Sequence, residues 1–504
     1  MVTRETPKAG GEKAACRGVG FAGSTDATEA QALTGAKPGR KIAYYGDDFT
    51  GSTDAMEALT LAGLRTVLFV ERPTPEMLRT QFADAEAFGI AGVSRSLAPA
   101  EMEAELPEAF RLMAESGAAV CHYKTCSTFD SAPEVGSIGR AIELGRQTFA
   151  RRRYVPLVVG SPPLKRYTVF GQHFAALNGV THRLDRHPVM SRHPVTPMRE
   201  ADLLKHLAAQ TDLSGALVDI VEQAGSTDEI EAAVERKLGA GAAIVLFDVL
   251  DQARLAKVGE LLWREAAASG PLFVAGSSGV EYALAACWQA AGWTAPRTRF
   301  PSPGPAEPLL VVSGSCSSVT QRQIDFALAH GFAGIRVDPA AWTGGARPGT
   351  AGEAAEACRR LARAALSLLA EGRSVLLYSA KGPEDESIAR TRAELAASGR
   401  NGADSGRLIG ERLGLVCRMV LEERRLKRIA VAGGDTSGYV MKQLGVYAME
   451  MTAPLVPGAP LCRAHSRDER INGLELTLKG GQMGRDDFFV QVREGRISPA
   501  TEDP

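Results

Sequence analysis

Residues 40–93 have the sequence RKIAYYGDDFTGSTDAMEALTLAGLRTVLFVERPTPEMLRTQFADAEAFGIAGV, in which β-rich and helical runs alternate. The β-rich runs are KIAYY, TVLFV and FGIAGV, and the first helical run passes through Met56 to Leu61. Such alternation is typical of βαβ units that build a parallel sheet. Because the same rhythm resumes in the second half of the chain, the sequence predicts an α/β protein with two domains, each a mostly parallel sheet flanked by helices.

The chain of 504 residues is also long enough to favour two domains, because single cores stop growing at about 250–300 residues. The proline-rich segment RTRFPSPGPAEP, residues 297–308, is the best linker in the sequence. Residues 1–39 show no sustained hydrophobic period, so we expect a flexible N-terminal extension there. The remaining predicted parts are a first domain at 40–298, a linker at 299–307, a second domain at 308–492 and a tail at 493–504.

Composition predicts a cytoplasmic protein without a nucleic-acid or membrane partner. Lys plus Arg (58) balance Asp plus Glu (59), so no net charge favours nucleic acid or an anionic membrane. The eight cysteines contain no CxxC pair and are expected to be reduced thiols. No apolar run reaches the roughly 20 residues of a membrane span, and no signal peptide is expected. Cys121, His122 and Cys126 fit no standard zinc spacing, so we expect no protein metal site.

The first junction between a predicted strand and a predicted helix carries two adjacent acids. Asp47 and Asp48 follow KIAYY and lie between Gly46 and Gly51. Such a pair would accept a proton from a hydroxyl, orient a sugar or hold Mg²⁺. The alternative is that one acid caps the helix while the glycines turn the chain.

Two further junctions in the first half carry cationic and hydroxyl side chains. Arg95, between two serines, follows FGIAGV, and its planar fork suits a carboxylate, although a surface arginine in a loop is common. Lys124 and Ser127 precede a helix expected from about Gly136, and this junction suits an anionic ligand. The His- and Arg-rich stretch at 164–198 is expected to be a loop or hairpin insertion that forms one wall of a cleft.

Three small-residue junctions occur in the second half. LLVV leads into SGSCSS at 313–318, RIAVA into GGDTSG at 433–438, and LELTLK into GGQMG at 480–484. Turns that open a helix present backbone N–H groups to phosphate, although glycine-rich turns also occur simply because the turn is tight. Neither a P-loop nor a GxGxxG motif is present.

Seven segments lie in a fixed order between Lys41 and Val492: YYGDDFTGSTDAMEAL, SRS, YKTCSTFDS, HPVTPM, VVSGSCSSVTQRQ, AVAGGDTSGYVMKQLG and LKGGQMG. In this order and spacing the chain resembles the four-carbon acid sugar kinases, which phosphorylate tetronates, oxo-tetronates and related acid sugars. The resemblance implies an N-terminal substrate domain, a C-terminal ATP domain and a reaction in the cleft between them. It also implies ATP and Mg²⁺ as cofactors, and we expect a homodimer.

The resemblance assigns a role to each matched residue. Asp47 and Asp48 would lie at the hydroxyl to be phosphorylated, and Arg95 would bind the substrate carboxylate. The residues that would complete the acid-sugar site are Lys124, Thr125, Cys126 and Ser127. The residues that would bind the nucleotide are Gly314, Ser315, Gly433, Gly434, Asp435, Thr436, Lys479, Gly480 and Gly481.

One departure from the family concerns substrate choice. Many members have Lys-x-x-Asp-Ser-Thr-Leu-Arg-Gly at the third junction, where this chain has KTCSTFDSA, residues 124–132. The version present here resembles the branch that includes 3-oxo-isoapionate kinases. One alternative that the residues leave open is an NAD-dependent dehydrogenase of sugar acids, since parallel α/β sheets serve both enzyme classes. The other is a non-catalytic sensor of sugar acids or nucleotides, in which the cleft binds its ligand without reacting.

Overall fold

The computed structural model describes residues 39–177, 179–193, 195–343, 351–399 and 404–497. Its strands are β1 (Arg40–Gly46), β2 (Thr66–Phe69), β3 (Ala87–Ala91), β4 (Ala118–Lys124), β5 (Val155–Val158), β6 (Arg166–Val169), β7 (Gln172–Leu177), β8 (Val180–Arg183), β9 (Gly215–Val218), β10 (Ile244–Phe247), β11 (Leu272–Gly276), β12 (Leu310–Ser313), β13 (Ala333–Arg336), β14 (Val375–Tyr378), β15 (Arg428–Ala432), β16 (Val446–Val456), β17 (Ala459–Ser466) and β18 (Glu475–Lys479).

Helices separate most of these strands. They are α1 (Phe49–Leu61), α2 (Pro75–Arg79), α3 (Pro99–Glu115), α4 (Ile138–Thr148), α5 (Leu203–Ala208), α6 (Thr227–Gly239), α7 (Gln252–Ser269), α8 (Gly279–Ala290), α9 (Ser318–Ala329), α10 (Ala340–Thr343), α11 (Ala351–Ala370), α12 (Glu386–Ala397), α13 (Asp404–Glu423), α14 (Gly434–Gln443) and α15 (Phe488–Glu494).

One large sheet runs through both halves of the chain. Its 15 strands have the order β13-β14-β12-β15-β18-β17-β16-β2-β3-β1-β4-β11-β5-β10-β9. The strands of each half are parallel, whereas β16 and β17 join the halves by antiparallel pairing with β2 and β18. Helices cover the parallel parts, and all five residues of β3, β11 and β15 are accordingly buried. The predicted α/β class with mostly parallel sheets is confirmed.

Two apolar clusters lie under these helices. In the first half, Phe110 packs edge-on against both Tyr123 and Phe273 at centroid distances of 6.0 and 5.2 Å. In the second half, Phe488 and Phe489 of α15 pack with Leu455 of β16. Each cluster is built from runs of apolar residues in the strands, the composition that strands buried on both faces require.

The strand order reverses beside the first strand of each half. From β1 the chain moves to β2 and β3 on one side and then crosses to β4 on the other. From β12 it moves to β13 and β14 and then crosses to β15. Ligands of open parallel sheets bind outside the carboxyl ends of the strands at such reversals. Asp47 and Asp48 follow β1, and Gly314 and Gly433 follow β12 and β15.

The β16–β17 hairpin reaches back to the first half of the chain. Met449 of β16 pairs with Leu68 of β2, and the Gly458 N–H at the tip of the hairpin donates to Glu57 Oε2 on α1 at 2.6 Å. Burial raises the pKa of Glu57 to about 8 in spite of this hydrogen bond. The carboxyl group is therefore mostly protonated at neutral pH, and a neutral carboxyl group can be buried at a lower cost than a charged one.

The predicted insertion at 164–198 is a separate three-stranded antiparallel sheet of order β6-β7-β8. It is followed by short 3₁₀ turns that lead to Thr196 and Met198. Residues 294–306, all of them described, contain no helix or strand. Among the described helices, none is long and apolar enough to cross a membrane. The seven cysteines among the described residues are free thiols.

Candidate active site

Asp48 caps helix α1 and is held by three donors. The Gly51 N–H donates to Asp48 Oδ1 at 3.0 Å, and the Thr50 hydroxyl donates to Oδ2 at 2.7 Å. Arg95, in a 3₁₀ turn after β3, donates from Nη2 to the same Oδ2 at 2.8 Å. Burial alone would raise the pKa of Asp48, but the charges of Arg95 and Lys124 with these hydrogen bonds outweigh burial and lower it. Asp48 is therefore a fixed, ionised carboxylate.

Asp47 is the less constrained carboxylate of the pair. Its Oδ2 accepts a long hydrogen bond of 3.4 Å from the Cys126 N–H, and its buried Oδ1 has no partner in the described part of the chain. Burial, and next the charge of Asp48, raise the pKa of Asp47 to about 7 against the opposing charge of Arg95. A carboxylate with an unused oxygen and a pKa near neutral is suited to accept a proton from a bound hydroxyl.

Lys124 ends β4 with its ammonium group buried beneath the first turn of α1. Its Nζ donates to the Thr125 carbonyl at 2.9 Å and lies 3.9 Å from Asp54 Oδ2. Burial would lower the pKa of Lys124, but the charges of Asp54 and Asp47 outweigh burial and raise it. The ammonium group is therefore charged and close to both members of the carboxylate pair.

A buried histidine and carboxylate lie behind Lys124. His122 Nδ1 is 2.7 Å from Glu281 Oε1 in the first turn of α8, and its Nε2 is 3.1 Å from the Gly276 carbonyl. Both side chains are fully buried. The turn Gly276–Ser277–Ser278–Gly279 before α8 repeats the small-residue layout of the junction at 313–318. This repetition could have indicated a further strand-to-helix junction at the site, but the sequence analysis did not single it out.

The insertion holds the loop that follows β4. His173 of β7 is buried, its Nε2 lies 2.9 Å from the Ser127 carbonyl, and its Nδ1 lies 3.0 Å from the Thr168 hydroxyl. Burial lowers the pKa of His173 to about 4, so the ring is neutral. Because a carbonyl only accepts, Nε2 donates to Ser127 and Nδ1 accepts from Thr168. Further along the insertion, the Thr196 hydroxyl donates to Asp130 Oδ2 at 3.3 Å.

The first two junctions of the second half are packed closely against each other around the Thr436 hydroxyl. A Cβ on Gly314 would overlap the Thr436 hydroxyl, and a Cβ on Gly433 would lie 2.8 Å from the same oxygen. Gly433 also has φ of 122°, which a side chain rarely tolerates. The glycines therefore bring the starts of α9 and α14 together. Ser317 caps α9, whereas α14 has no side-chain cap on its N-terminal backbone donors.

The third junction closes this group. The Ser317 hydroxyl donates to the Gly481 carbonyl, and the Thr320 hydroxyl donates to the same oxygen at 3.2 Å. Lys479 ends β18, is fully buried and donates from Nζ to Thr320 Oγ1 at 2.9 Å. Burial lowers the pKa of Lys479 to about 7. Within the described residues no carboxylate forms an ion pair with this ammonium group, so a bound phosphate would stabilise its charge.

The two groups of junctions meet at the N-terminus of α1. A Cβ on Gly434 would lie 3.7 Å from Thr50 Oγ1, and a Cβ on Gly480 would lie 3.8 Å from Thr50 Cγ2. A Cβ on Gly438 would lie 3.2 Å from the Phe49 ring. The turns of the second half therefore contact the helix whose cap is one of the paired carboxylates.

Family models match both halves of the chain. Residues 42–284 match the sugar-binding N-terminal domain, and residues 310–489 match the nucleotide-binding C-terminal domain. The chain is 46% identical over 439 residues to 3-oxo-isoapionate kinase from Paraburkholderia graminis, with 87% of this chain and 91% of the relative covered. The chain belongs to the four-carbon acid sugar kinase family. The predicted family and enzyme class, an acid-sugar kinase, are confirmed.

Another curated relative and two solved structures also align over most of the chain. The 3-oxo-tetronate kinase of Pseudomonas fluorescens is 30% identical, with 85% of this chain and 91% of the relative covered. A crystal structure from Salmonella typhimurium LT2 superposes with a TM-score of 0.70 at 25% identity, over 90% of this chain and 98% of that one. A Haemophilus influenzae structure of the DUF1537 family superposes with a TM-score of 0.64 at 22% identity, over 89% and 98%.

The fold of this acid-sugar kinase brings most of the predicted site residues into two adjoining groups. Around the first reversal lie Asp47, Asp48, Arg95, Lys124, Thr125, Cys126 and Ser127. Around the second lie Gly314, Ser315, Gly433, Gly434, Thr436, Lys479, Gly480 and Gly481. Asp435 differs from these, because its side chain is exposed and faces α13, where a Cβ on Gly406 would lie 3.3 Å from its Oδ2.

Three residues of the candidate site were not predicted from the sequence. Asp54 lies on α1 beside Lys124, Thr50 joins the two groups, and Glu281 pairs with His122. Asp54 and Thr50 were within the quoted GDDFTGSTD segment, but only the contacts distinguish them from ordinary helix residues. Family membership favours a kinase over the dehydrogenase and sensor alternatives.

Proposed function

We propose that this protein transfers the γ-phosphoryl group of ATP to a hydroxyl of a small acid sugar, and that its acceptor is 3-oxo-isoapionate or a closely related oxo-tetronate. The observation that carries the proposal is the contact of Thr50 with Gly434 and Gly480, next to a carboxylate pair of which one member has an unused oxygen. The acceptor assignment is supported by the 46% identity to a 3-oxo-isoapionate kinase.

The acceptor hydroxyl is assigned to Asp47. Phosphoryl transfer needs alignment and charge neutralisation more than covalent help from the protein. In this proposal Asp47 Oδ1 accepts the hydroxyl proton while the acceptor oxygen bonds to the γ-phosphorus and the bond from that phosphorus to the β–γ bridging oxygen breaks. ADP leaves with the electron pair of that bond, and Lys124 offsets charge beside the carboxylates.

The triphosphate is assigned to the turns at Gly314–Ser315, Gly433–Gly434 and Gly480–Gly481. Backbone N–H groups at the starts of α9 and α14, with Lys479, would cradle it. No group of three or more His, Cys, Asp or Glu suited to a metal occurs among the described residues. Mg²⁺ fits this setting, because it is usually held by substrate phosphates and one or two carboxylates. Because Asp435 faces α13, the phosphates themselves would hold the ion, which would neutralise their charge.

The proposed reaction takes place in the cleft between a substrate domain at 40–298 and a nucleotide domain at 308–492. Closure of the cleft over both ligands would exclude water and suppress ATP hydrolysis. A cytoplasmic location, a homodimer and the lack of a nucleic-acid partner stay predictions from sequence.

The test is incubation of the purified protein with Mg-ATP and a panel of 3-oxo-isoapionate, 3-oxo-tetronates and tetronates. ADP release and product mass are measured for each acid. The proposal predicts ADP release that depends on 3-oxo-isoapionate or an oxo-tetronate, with one phosphate added to the acid. ADP release that no acid stimulates, in protein that still binds ATP, would contradict it.

A further inference from the structure

One face of the β6-β7-β8 sheet contacts the loop after β4, residues 125–137, which contains Ser127. Thr168 pairs with His173 across β6 and β7, and the His173 ring reaches the Ser127 carbonyl. Side chains that are opposite in an antiparallel pair, or two apart along one strand, share a face of the sheet. Arg166 is two residues from Thr168 and pairs with Ala175, which is fully buried. Arg166 therefore lies on the face that is turned toward the loop after β4.

The guanidinium of Arg166 has no carboxylate within ion-pair distance among the residues that the structure describes. Its Nη1 donates only to backbone carbonyls, those of Leu164, Lys165 and Ala176, at 3.1, 3.2 and 3.3 Å. Its Nε is buried without a partner. Burial lowers the pKa of Arg166, while the nearby acidic groups Cys126 and Asp54 act in the opposite direction. A partly buried cation without a counterion is costly unless an anion binds to it.

The guanidinium of Arg95, unlike that of Arg166, has a carboxylate as its counterion. Its Nη2 is 2.8 Å from Asp48 Oδ2, and the charges of Asp48 and Asp47 hold the pKa of Arg95 well above its usual value in spite of burial. Asp48 already supplies the counterion of this guanidinium. An acid sugar brings its own carboxylate to the site, and that carboxylate needs a cation whose charge is not already neutralised.

We propose that Arg166 binds the carboxylate of the acid sugar and that Arg95 is a positioning residue that holds Asp48. This assignment rests on the proposed function and deepens it, because it makes the insertion the element that selects acids. A carboxylate at Arg166 and a reacting hydroxyl at Asp47 would span the pocket from the insertion to the start of α1. Ser161, whose buried Oγ has no partner in the described residues, exchanges two backbone hydrogen bonds with Arg166 and borders the same region.

The test compares Arg166→Gln, Arg166→Lys and Arg95→Gln, with Arg186→Gln as the control from an exposed position of the same insertion. Equilibrium binding and steady-state kinetics are measured with 3-oxo-isoapionate and with its methyl ester. We expect Arg166→Gln to weaken binding of the acid by roughly 10- to 100-fold, the scale of lost charged hydrogen bonds, and to leave ester binding unchanged. Arg166→Lys should retain part of the affinity. Arg95→Gln should lower kcat more than it raises KM.

Several results would overturn the assignment. Unchanged KM and Kd for the acid in Arg166→Gln would do so, as would an equal loss for acid and ester, which would indicate a structural role at the Leu164 and Ala176 carbonyls. Thermal unfolding identifies a variant that fails to fold, and in that case Arg166→Ala titrated with guanidinium ion replaces it: restored acid binding supports the assignment, and no restoration contradicts it. Acid binding without turnover in the wild type would contradict only the kinase proposal, whereas no binding would contradict both.

Discussion

Gly434, in the turn after β15, lies against Thr50 at the start of α1, so that a Cβ added at Gly434 would be 3.7 Å from the Thr50 hydroxyl oxygen. The same hydroxyl donates to Asp48 Oδ2 at 2.7 Å. A single residue therefore contacts a turn of the nucleotide half and a carboxylate of the sugar half. This arrangement suits direct transfer, because reacting atoms must approach to about 3–3.5 Å.

The two adjacent carboxylates should respond differently to the same substitution. Asp47→Asn should lower kcat by roughly 10²- to 10⁴-fold, the range attributed to general-base help, with ATP affinity unchanged. The reason is that Asp47 has the unused oxygen, whereas Asp48 is occupied by Arg95, Thr50 and Gly51. Steady-state kinetics with a fluorescent-nucleotide binding assay measure both quantities.

Asp212→Asn is the matched control, since Asp212 is exposed in the same half of the chain. In the wild type, kcat/KM should rise with pH through about 7, where Asp47 loses its proton. A turnover number that Asp47→Asn leaves unchanged would exclude the proton-transfer role.

Substitution of the two acids by Asn should also change the stability of the folded protein in opposite directions. The pKa of Asp47 is raised in the folded protein, so its ionisation destabilises the fold as pH rises from the unfolded value near 4 through about 7. Asp47→Asn should therefore unfold at a higher temperature than the wild type at pH 8. The pKa of Asp48 is lowered, so its contribution is present above the unfolded value and is lost as pH falls through the folded value.

Asp48→Asn should accordingly lower the free energy of unfolding at pH 8, by about 1–3 kcal/mol, because the ion pair with Arg95 is lost. Thermal and urea unfolding of both variants at pH 5 and pH 8 provide the comparison. Equal shifts of the same sign would contradict the assignment of the two environments.

A side chain at Gly434 should block the nucleotide without unfolding the protein. The nearest atoms to an added Cβ are those of Thr50, at 3.7 and 3.9 Å, so the fold has room for it while the space beside the turn is filled. Gly434→Val should abolish measurable ATP binding in calorimetry, with a far-UV spectrum like that of the wild type. Gly239→Val, at a helix end with no atom within 4 Å of the added Cβ, is the control. Normal ATP affinity in folded Gly434→Val would exclude this turn from the nucleotide site.

ATP binding should take up a proton near neutral pH. The pKa of the buried Lys479 is lowered to about 7, and a phosphate nearby would raise it again. Calorimetric titrations in two buffers with different ionisation enthalpies measure this uptake at pH 7.5. Lys479→Met should lose the uptake and bind ATP more weakly, by roughly 10- to 100-fold. The exposed Lys442→Met is the control, and identical uptake in Lys479→Met would assign the proton to another group.

Much of this fold could be predicted from local patterns. Alternation of β-rich and helical runs predicts the parallel parts, and small residues after KIAYY, LLVV and RIAVA mark the two reversals of strand order. The β16–β17 hairpin could not be predicted in this way, because its pairing with β2 joins Leu68 to Met449, nearly 400 positions apart. Such long-range pairing leaves no local periodicity in the sequence.

The candidate site likewise has features that local sequence predicts and features that only tertiary contacts reveal. The sequence indicated that Asp47 and Asp48 are important but could not separate them, since the difference arises from Arg95, which a different strand brings to Asp48. Glu281 and Asp54 were overlooked for a similar reason, because each becomes notable only through burial beside His122 or Lys124. Tertiary contacts, which single-sequence patterns do not record, determine these roles.

The most direct test of the central claim is a crystal structure of the wild-type protein with a non-hydrolysable ATP analogue and 3-oxo-isoapionate bound together. We predict an acceptor hydroxyl within about 3.2 Å of Asp47 Oδ1 and about 3–3.5 Å from the γ-phosphorus. The γ-phosphate should lie beside Gly434 and Thr50. An acceptor hydroxyl bound away from Asp47, or a nucleotide bound away from the turns at Gly314, Gly433 and Gly480, would contradict the account.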